Sequence, residues 1–401
     1  MNYLPYFIGL VLGIIFALLP GMHTNTIISM FYSFNFEKEF LGLFVVGIYP
    51  AHLVFSFISS IFMKIPDENN ALASISAQKL LDNKKGIIAL KTAILSCVFS
   101  GIFSALFFNF ALNLFPSIYS FIQPNIKYLL IIFSTALILK SQNKITAFIV
   151  FVCAGLLGQI SFSLNLVDPF LPLFGGFFAI ASAISIYQNK KKQNDVENNK
   201  MISNHIDESS SLTSSQIKNI LFFSFFGVVL GFLADLLPGI GAPSQIASFI
   251  SIVIPFTSLS YLSLTSSLSI SQFIFSLASQ ISIDKARVGA TEWLSKFIKI
   301  EQNSFLLLLL IVLSLTLCAL ILLLLIKKFR NFSNLDFSKF SPFIVLYLAI
   351  LVYLLDGPFG IFVLILSSAL GYLTLKTDVE RTHLMGAIII PTLLLLFRVF
   401  L

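Results

Sequence analysis

The chain has 401 residues, of which 57% are hydrophobic and only 11% are charged, whereas a soluble domain usually carries about 25% charged residues. With a mean hydropathy of +0.95 and apolar runs of membrane length, this composition excludes a soluble globule and predicts a polytopic membrane protein in a lipid bilayer. The net charge of +7 does not indicate nucleic acid as a partner, because Lys and Arg lie in short segments between apolar runs, where they set membrane topology.

The predicted elements fall into two halves of matching order, so we expect an all-α protein built from two repeats. The first repeat, residues 1–187, contains a broken apolar segment and five spans, at 4–34, 40–63, 87–115, 126–139, 145–163 and 169–187. Residues 188–216 are polar and predict a flexible cytoplasmic linker. The second repeat, residues 217–401, contains a broken segment and five spans, at 219–256, 259–281, 304–326, 341–355, 359–375 and 383–400.

A Gly-x-x-x-Gly pair followed by Leu-Leu-Pro-Gly occurs in both broken segments. The first copy runs from Gly9 to Gly21 and the second from Gly227 to Gly239. Helix-breaking Pro-Gly pairs at matched points of two halves are typical of secondary transporters whose interrupted helices build a site at membrane mid-depth. A purely structural kink is the alternative interpretation.

Each broken segment is longer than the roughly 20 residues that one crossing needs. It is either one interrupted helix or a re-entrant hairpin of two half-helices. Counting Lys and Arg on the cytoplasmic side favours hairpins by two charges. Each half then crosses the membrane five times, which predicts inverted repeats; parallel repeats with single broken helices stay an alternative.

Polar residues after each Pro-Gly pair predict where a half-helix begins. Ser, Thr and Asn cap free N–H groups at a helix start, and such a start favours a bound anion. We therefore expect a site for a small organic anion at the two tips, residues 20–27 and 238–246. Its predicted residues are Gly21, His23, Thr24, Asn25, Thr26, Gly239, Gly241, Ser244 and Gln245.

Two ionisable residues near these tips are candidates for coupling transport to a cation. His23 lies in the first tip, and Asp235 precedes the second Leu-Leu-Pro-Gly within an apolar run. Ionisable groups inside a membrane are costly and suggest proton or cation coupling; the alternative for Asp235 is a solvated carboxylate at a wet interface. His52, in the second predicted element, is expected to form a hydrogen bond across helices.

The sequence provides no pattern for catalysis or for a bound cofactor. Cys97, Cys153 and Cys318 lie in apolar stretches without CxxC spacing, which predicts neither a disulfide nor a metal site. No HExxH or GxSxG motif is present. We expect no catalytic residues and no cofactor other than a coupling Na⁺ or proton. An intramembrane enzyme acting on a lipid-linked substrate is the second hypothesis, and a channel is the third.

The paired glycine and Leu-Pro-Gly segments resemble the large membrane subunit of the tripartite tricarboxylate transporter family. So does the stretch from Ile65 to Ser74, with the basic loop after it. The resemblance is strongest at 9–31, 58–91 and 227–247, and the first tip is most similar to the archaeal-type branch, in which a His follows Leu-Pro-Gly. Asp67 stands where the family has Gly, and the second copy of the Ile-Pro segment is not recognisable around 281–292.

This resemblance implies a permease subunit of the plasma membrane that takes up carboxylates using an ion gradient. It also implies two partners, a small membrane subunit and an extracytoplasmic binding protein. The predicted function is therefore secondary active transport of a small organic anion, a carboxylate.

Overall fold

The computed structural model describes residues 2–19, 22–63, 73–83, 85–196, 211–236, 246–247, 250, 254, 256–332, 337–377 and 379–398. Every regular element within these ranges is helical. Nine of the described helices are long and apolar enough to cross a membrane. The predicted all-α polytopic architecture is confirmed.

The described residues of the first half form ten α-helices. They are α1 (Leu4–Ala17), α2 (Thr24–Ser33), α3 (Lys38–Ile58), α4 (Ala73–Asp82), α5 (Gly86–Leu106), α6 (Phe108–Ile122), α7 (Ile126–Lys140), α8 (Lys144–Ser163), α9 (Phe170–Phe174) and α10 (Ala181–Val196). One π-helical segment, Ser59–Met63, extends α3, and another, Gly175–Ile180, joins α9 to α10.

The second half contributes six further helices to the described chain. They are α11 (Ser214–Ala234), α12 (Ser258–Ile283), α13 (Gly289–Phe297), α14 (Ile300–Phe332), α15 (Ser341–Lys376) and α16 (Gly386–Leu396). The 3₁₀ turn Arg381–Met385 leads into α16. Helix α10 reaches Val196, so the first residues of the predicted linker are helical, while 197–210 lie outside the described residues. The domain boundaries stay a prediction.

Helices α3 and α12 are buried along their membrane-length stretches and form the centre of the protein. Helix α1 packs on α3, and α11 packs on α12. In both pairs the glycines of the Gly-x-x-x-Gly motif allow close contact: a Cβ atom would lie 2.3 Å from the carbonyl oxygen of Phe44 if placed on Gly9, and 2.6 Å from that of Leu264 if placed on Gly227. Small residues at these positions therefore let the backbones touch.

The first broken segment is a hairpin. Helix α1 runs in the same direction as α3, because Gly9 faces Phe44 near the start of α3 and the carbonyl of Ala17 accepts a hydrogen bond from Ser59 at its end (3.2 Å). Helix α2 then returns, and Phe31 near its end stacks on Phe44 with ring centroids 4.4 Å apart. The chain therefore enters and leaves the bundle at the same end.

The two halves are intertwined. Helix α5 of the first half packs against α12 of the second, and α14 of the second half packs against α3 of the first. Cys97 and Gly101 of α5 face Ser266 and Ile270 of α12, so these two helices run in the same direction. The cores of the two halves are therefore one continuous structure.

Helices α3 and α12 run in opposite directions. Helix α5 begins beside the end of α3, where the position of Gly86 faces the ring of Phe62, and α5 is parallel to α12. This is the arrangement that the hairpin alternative predicts. The inverted orientation of the repeats in a membrane stays a prediction.

Helix α15 contains a reversal that gives it two legs. Gly357 has a φ of 65° and a ψ of −156°, a region that only glycine adopts readily. A Cβ on Gly360 would lie 2.9 Å from the side chain of Val352, eight residues earlier, a distance that a straight helix of 1.5 Å rise per residue does not allow. The legs before and after Gly357 correspond to the separately predicted spans 341–355 and 359–375.

Candidate functional site: three helix breaks that meet inside the bundle

The first break provides a helix start, as the sequence predicts. Helix α2 begins at Thr24, but the residue that caps it is His23 rather than a Thr or Asn. The ring Nδ1 of His23 accepts a hydrogen bond from the backbone N–H of Asn25 (3.2 Å), as an Asn side chain would. Because Nδ1 accepts this bond, the neutral ring carries its proton on Nε2. Gly21 lies outside the described residues.

This helix start lies halfway along the central helix α3. The ring Nε2 of His52, in the middle of α3, donates a hydrogen bond to the carbonyl of Met22 (2.9 Å). Both residues are buried. His52 was expected to bond across helices; its partner instead lies in the segment between α1 and α2, and this bond fixes the first tip at the depth of the helix centre.

Polar side chains of the first turn of α2 point into the protein. Thr24 and Thr26 are buried, and Thr26 Oγ1 donates to Asp168 Oδ2 at 2.5 Å. Asn25 lies against Gly289 at the start of α13, where an added Cβ would be 2.3 Å from Asn25 Nδ2. The buried Oδ1 of Asn25 has no hydrogen-bond partner among the described residues. The carbonyl oxygen of this amide is thus unsatisfied within the described chain.

The second break is described only in part. Of the residues predicted there, Gly239, Gly241, Ser244 and Gln245 lie outside the described residues. Asp235 is described: it follows the last residue of α11 and is fully buried. Ser279 donates to its Oδ2, while its Oδ1 has no partner in the described chain. A solvated carboxylate at a wet interface does not fit this environment.

A loop after α12 connects the second break to the first. Arg287 Nε donates to the carbonyl of Asp235 (3.3 Å). Ser276 Oγ accepts from the N–H groups of Arg287 (3.1 Å) and Val288 (3.2 Å). The next residue, Gly289, is the one that faces Asn25. The two predicted tips are therefore joined through this short loop, and a guanidinium group lies beside the second one.

Two carboxylates that the sequence analysis did not single out complete the site. Asp168 precedes α9 and is the hydrogen-bond acceptor of Thr26. Its own backbone N–H donates to Asp356 Oδ1 at 3.0 Å, and Asp356 is the residue before the reversal at Gly357. A third helix break therefore meets the first one.

The sequence around Asp168 and Asp356 contains a pattern that could have identified them. Asp168 is followed by Pro169, and Asp356 is followed by Gly357 and Pro358. Each is an acidic residue beside a helix breaker in an apolar region, which is the pattern that singled out Asp235. Their meeting point was not predictable, because it depends on α9 packing against α15, elements far apart in the sequence.

The membrane-length helices and the interrupted helices that meet in the interior define a polytopic membrane transport protein. The sequence profile of the tripartite tricarboxylate transporter TctA family matches residues 4–386. The chain belongs to this family, which confirms the resemblance seen in its motifs. It is thus a membrane transporter component and a multi-pass protein of the plasma membrane.

A relative is an uncharacterized protein of Methanocaldococcus jannaschii. The two are 25% identical over 421 aligned residues, covering 99% of this chain and 100% of the relative. No solved structure matches the chain. The similarity therefore extends over the whole length.

Proposed function

We propose that this protein is a secondary active transporter for a small carboxylate, driven by a Na⁺ or proton gradient. The observation that carries the proposal is the start of α2, buried at the centre of the bundle with Thr24 and Asn25 in its first turn. The first N–H groups of a helix lack partners within it, and together with the helix dipole they favour an anion.

Neutral and positive groups lie beside the proposed anion site, together with the carboxylate of Asp168, which accepts a hydrogen bond from Thr26. Asn25, in the first turn of α2, has an amide Nδ2 group that can donate a hydrogen bond to an anion, and the ring of His23 caps the same helix start. Arg287 lies at the neighbouring break, and an arginine is well suited to a carboxylate because its planar fork forms two parallel hydrogen bonds. The second tip, with Gly239, Gly241, Ser244 and Gln245, completes the site in this proposal.

Coupling to a cation is assigned to Asp235, with His23 as the second candidate. Asp235 is fully buried and one of its oxygens is unpartnered in the described chain, so a bound cation or proton would offset the cost of its charge. The corresponding position of the first copy is Ala17, which has no charge to neutralise.

The experiment is uptake by vesicles containing the purified chain, tested with a panel of radiolabelled carboxylates under imposed Na⁺ or proton gradients. We expect one gradient to drive accumulation of at least one carboxylate. Asp235→Asn should keep equilibrium binding and lose accumulation, because the amide keeps the shape but cannot be charged. Binding without gradient-driven accumulation in the wild type, with the proposed partner subunits present as well, would contradict the proposal.

Partner subunits belong to the same proposal. Tripartite systems, as the family description states, have three components, and we propose a small membrane subunit and an extracytoplasmic binding protein as the other two. If vesicles with the chain alone bind but do not accumulate, the uptake assay is repeated with these subunits present.

A further inference from the structure

Asp168 and Asp356 form a buried acidic pair, and His23 is a basic group of the described chain that interacts with Asp168. Their exposed fractions are 6% and 9%. Neither carboxylate has a Lys or Arg partner within ion-pair distance in the described residues. Two buried negative charges without a counter-charge are strongly unfavourable.

The two carboxylates differ in how far their oxygens are satisfied. Asp168 Oδ1 accepts from the N–H groups of Phe170 (3.1 Å) and Leu171 (3.3 Å), and its Oδ2 accepts from Thr26. These donors suit an ionised carboxylate. Asp356 Oδ1 accepts from the N–H of Asp168, but its buried Oδ2 has no partner in the described chain. The unsatisfied oxygen of the pair is therefore Asp356 Oδ2.

We propose that Asp168 and Asp356, with the hydroxyl of Thr26, bind a monovalent cation, either Na⁺ or a proton, at a site separate from Asp235. Carboxylate and hydroxyl oxygens are hard ligands that suit Na⁺, and a proton would be held on Asp356 Oδ2, the oxygen without a partner in the described chain. The site lies where the reversal of α15 meets the first turn of α2. It rests on the proposed function only in that the bound cation is taken to couple to the transported anion.

The link between this cation and the anion is the hydrogen bond from Thr26 to Asp168. It holds a negative charge against the turn of α2 at which the anion is proposed to bind. Without a cation, Asp168 repels the anion; with one, the repulsion is reduced. Because such coupling is reciprocal, the cation and the carboxylate should raise each other's affinity by the same factor.

The test measures thermal unfolding of the purified full-length protein at rising Na⁺, with choline chloride keeping the ionic strength constant. A ligand that binds the folded state raises the unfolding temperature. We expect Na⁺ to raise it in the wild type and to have no effect in Asp356→Asn. The control Asp284→Asn, which changes an exposed acid beyond the end of α12, should keep the wild-type response.

A proton at the same site gives a different result. Unfolding temperature would then be insensitive to Na⁺ and would fall as the pH rises, and this dependence would be absent in Asp356→Asn. His23 is the other titratable group that interacts with Asp168, so the pH series is repeated in His23→Gln, which should keep the Asp356-dependent part. Asp168→Asn replaces Asp356→Asn if the latter does not fold.

Either pattern supports the site and identifies its cation. A wild-type protein that responds to neither cation, or an Asp356→Asn variant that responds like the wild type, overturns it. The proposal is also overturned if the cation response is lost in Asp235→Asn and kept in Asp356→Asn. If the wild-type protein neither bound nor took up a carboxylate but kept the Asp356-dependent cation response, this result would contradict the proposed function. The cation site would still be supported.

Discussion

At the scale of single residues, the site depends on individual side-chain contacts between segments that are far apart in the sequence. The amide of Asn25 packs against Gly289, and the hydroxyl of Thr26 is bonded to Asp168. Neither partner is near in sequence, so the orientation of the first turn of α2 is set by α9 and α13. Substitutions of these partners should therefore alter ligand affinity even though the residues of the first tip are unchanged.

Gly289→Ala tests this dependence. The new Cβ would lie 2.3 Å from Asn25 Nδ2, and since that atom is the end of a flexible side chain, Asn25 should turn away at little cost to folding. Loss of a hydrogen bond to a charged ligand costs about 1.5 to 3 kcal/mol, so we expect carboxylate affinity to fall at least tenfold in an equilibrium binding assay.

Gly175→Ala is the matched control for this substitution. Its added Cβ would meet no atom closer than 3.9 Å, so affinity should be that of the wild type. Wild-type affinity in Gly289→Ala as well would show that Asn25 does not contact the ligand.

Site residues could be predicted where their role depends on residues close to them in the sequence. Capping preferences predicted the start of α2 at Thr24, because a polar run after a Pro-Gly pair can satisfy free N–H groups. The cap itself, His23, was assigned only as a ligand or coupling residue. Asp168 and Asp356 were not singled out because their partners are fixed by tertiary packing.

At the scale of elements, the reversals position the polar groups. The spans predicted from hydropathy agree with the helices within a few residues, because apolar length is a local property. Three predicted spans differ more: the structure divides 87–115 into α5 and α6 at Phe107, continues 169–187 to Val196 and extends 304–326 to Phe332. The directions of the helices were harder to predict. The number of Lys and Arg residues on the cytoplasmic side differed by only two between the hairpin and the single-crossing arrangements.

Gly357→Ala tests whether the reversal of α15 depends on backbone conformation. Nothing lies within 4 Å of the added Cβ, so the cost is conformational strain alone, about 1 to 3 kcal/mol for a non-glycine residue in this region. We expect a lower unfolding temperature together with a weaker cation response, since Asp356 is the preceding residue.

Gly357→Asn should be as destabilising as Gly357→Ala. Asn tolerates the left-handed helical region, but a ψ of −156° lies outside it. An Asn variant as stable as the wild type would show that the reversal does not require this glycine conformation.

At the scale of the whole molecule, the opposite directions of α3 and α12 set the sidedness of the loops. Residue 2 precedes α1 and lies at the end of the bundle where α3 begins. Helix α14 also begins at that end, because Ile298 packs on the position of Gly42. Lys339, which follows α14, therefore lies at the opposite end from Asn2.

Cysteine labelling tests this arrangement in intact cells. In a variant without Cys97, Cys153 and Cys318, a membrane-impermeant reagent should label a cysteine introduced at Asn2 and not one at Lys339. Ser211→Cys, just before α11, should behave like the Lys339 variant, because the linker is predicted to be cytoplasmic. Equal labelling at Asn2 and Lys339 would support parallel halves with single broken helices.

The intertwining of the halves has a consequence for biosynthesis. The first half leaves the ribosome before α12 and α14 exist, so the part of α5 that packs against these two helices has no partner at that stage. The hydroxyl of Ser96, which accepts a hydrogen bond from Ser224 in the finished protein (2.9 Å), then faces lipid or the insertion machinery. The helices of the first half must therefore remain in the bilayer as separate spans at first. The central core forms only when the second half has been inserted.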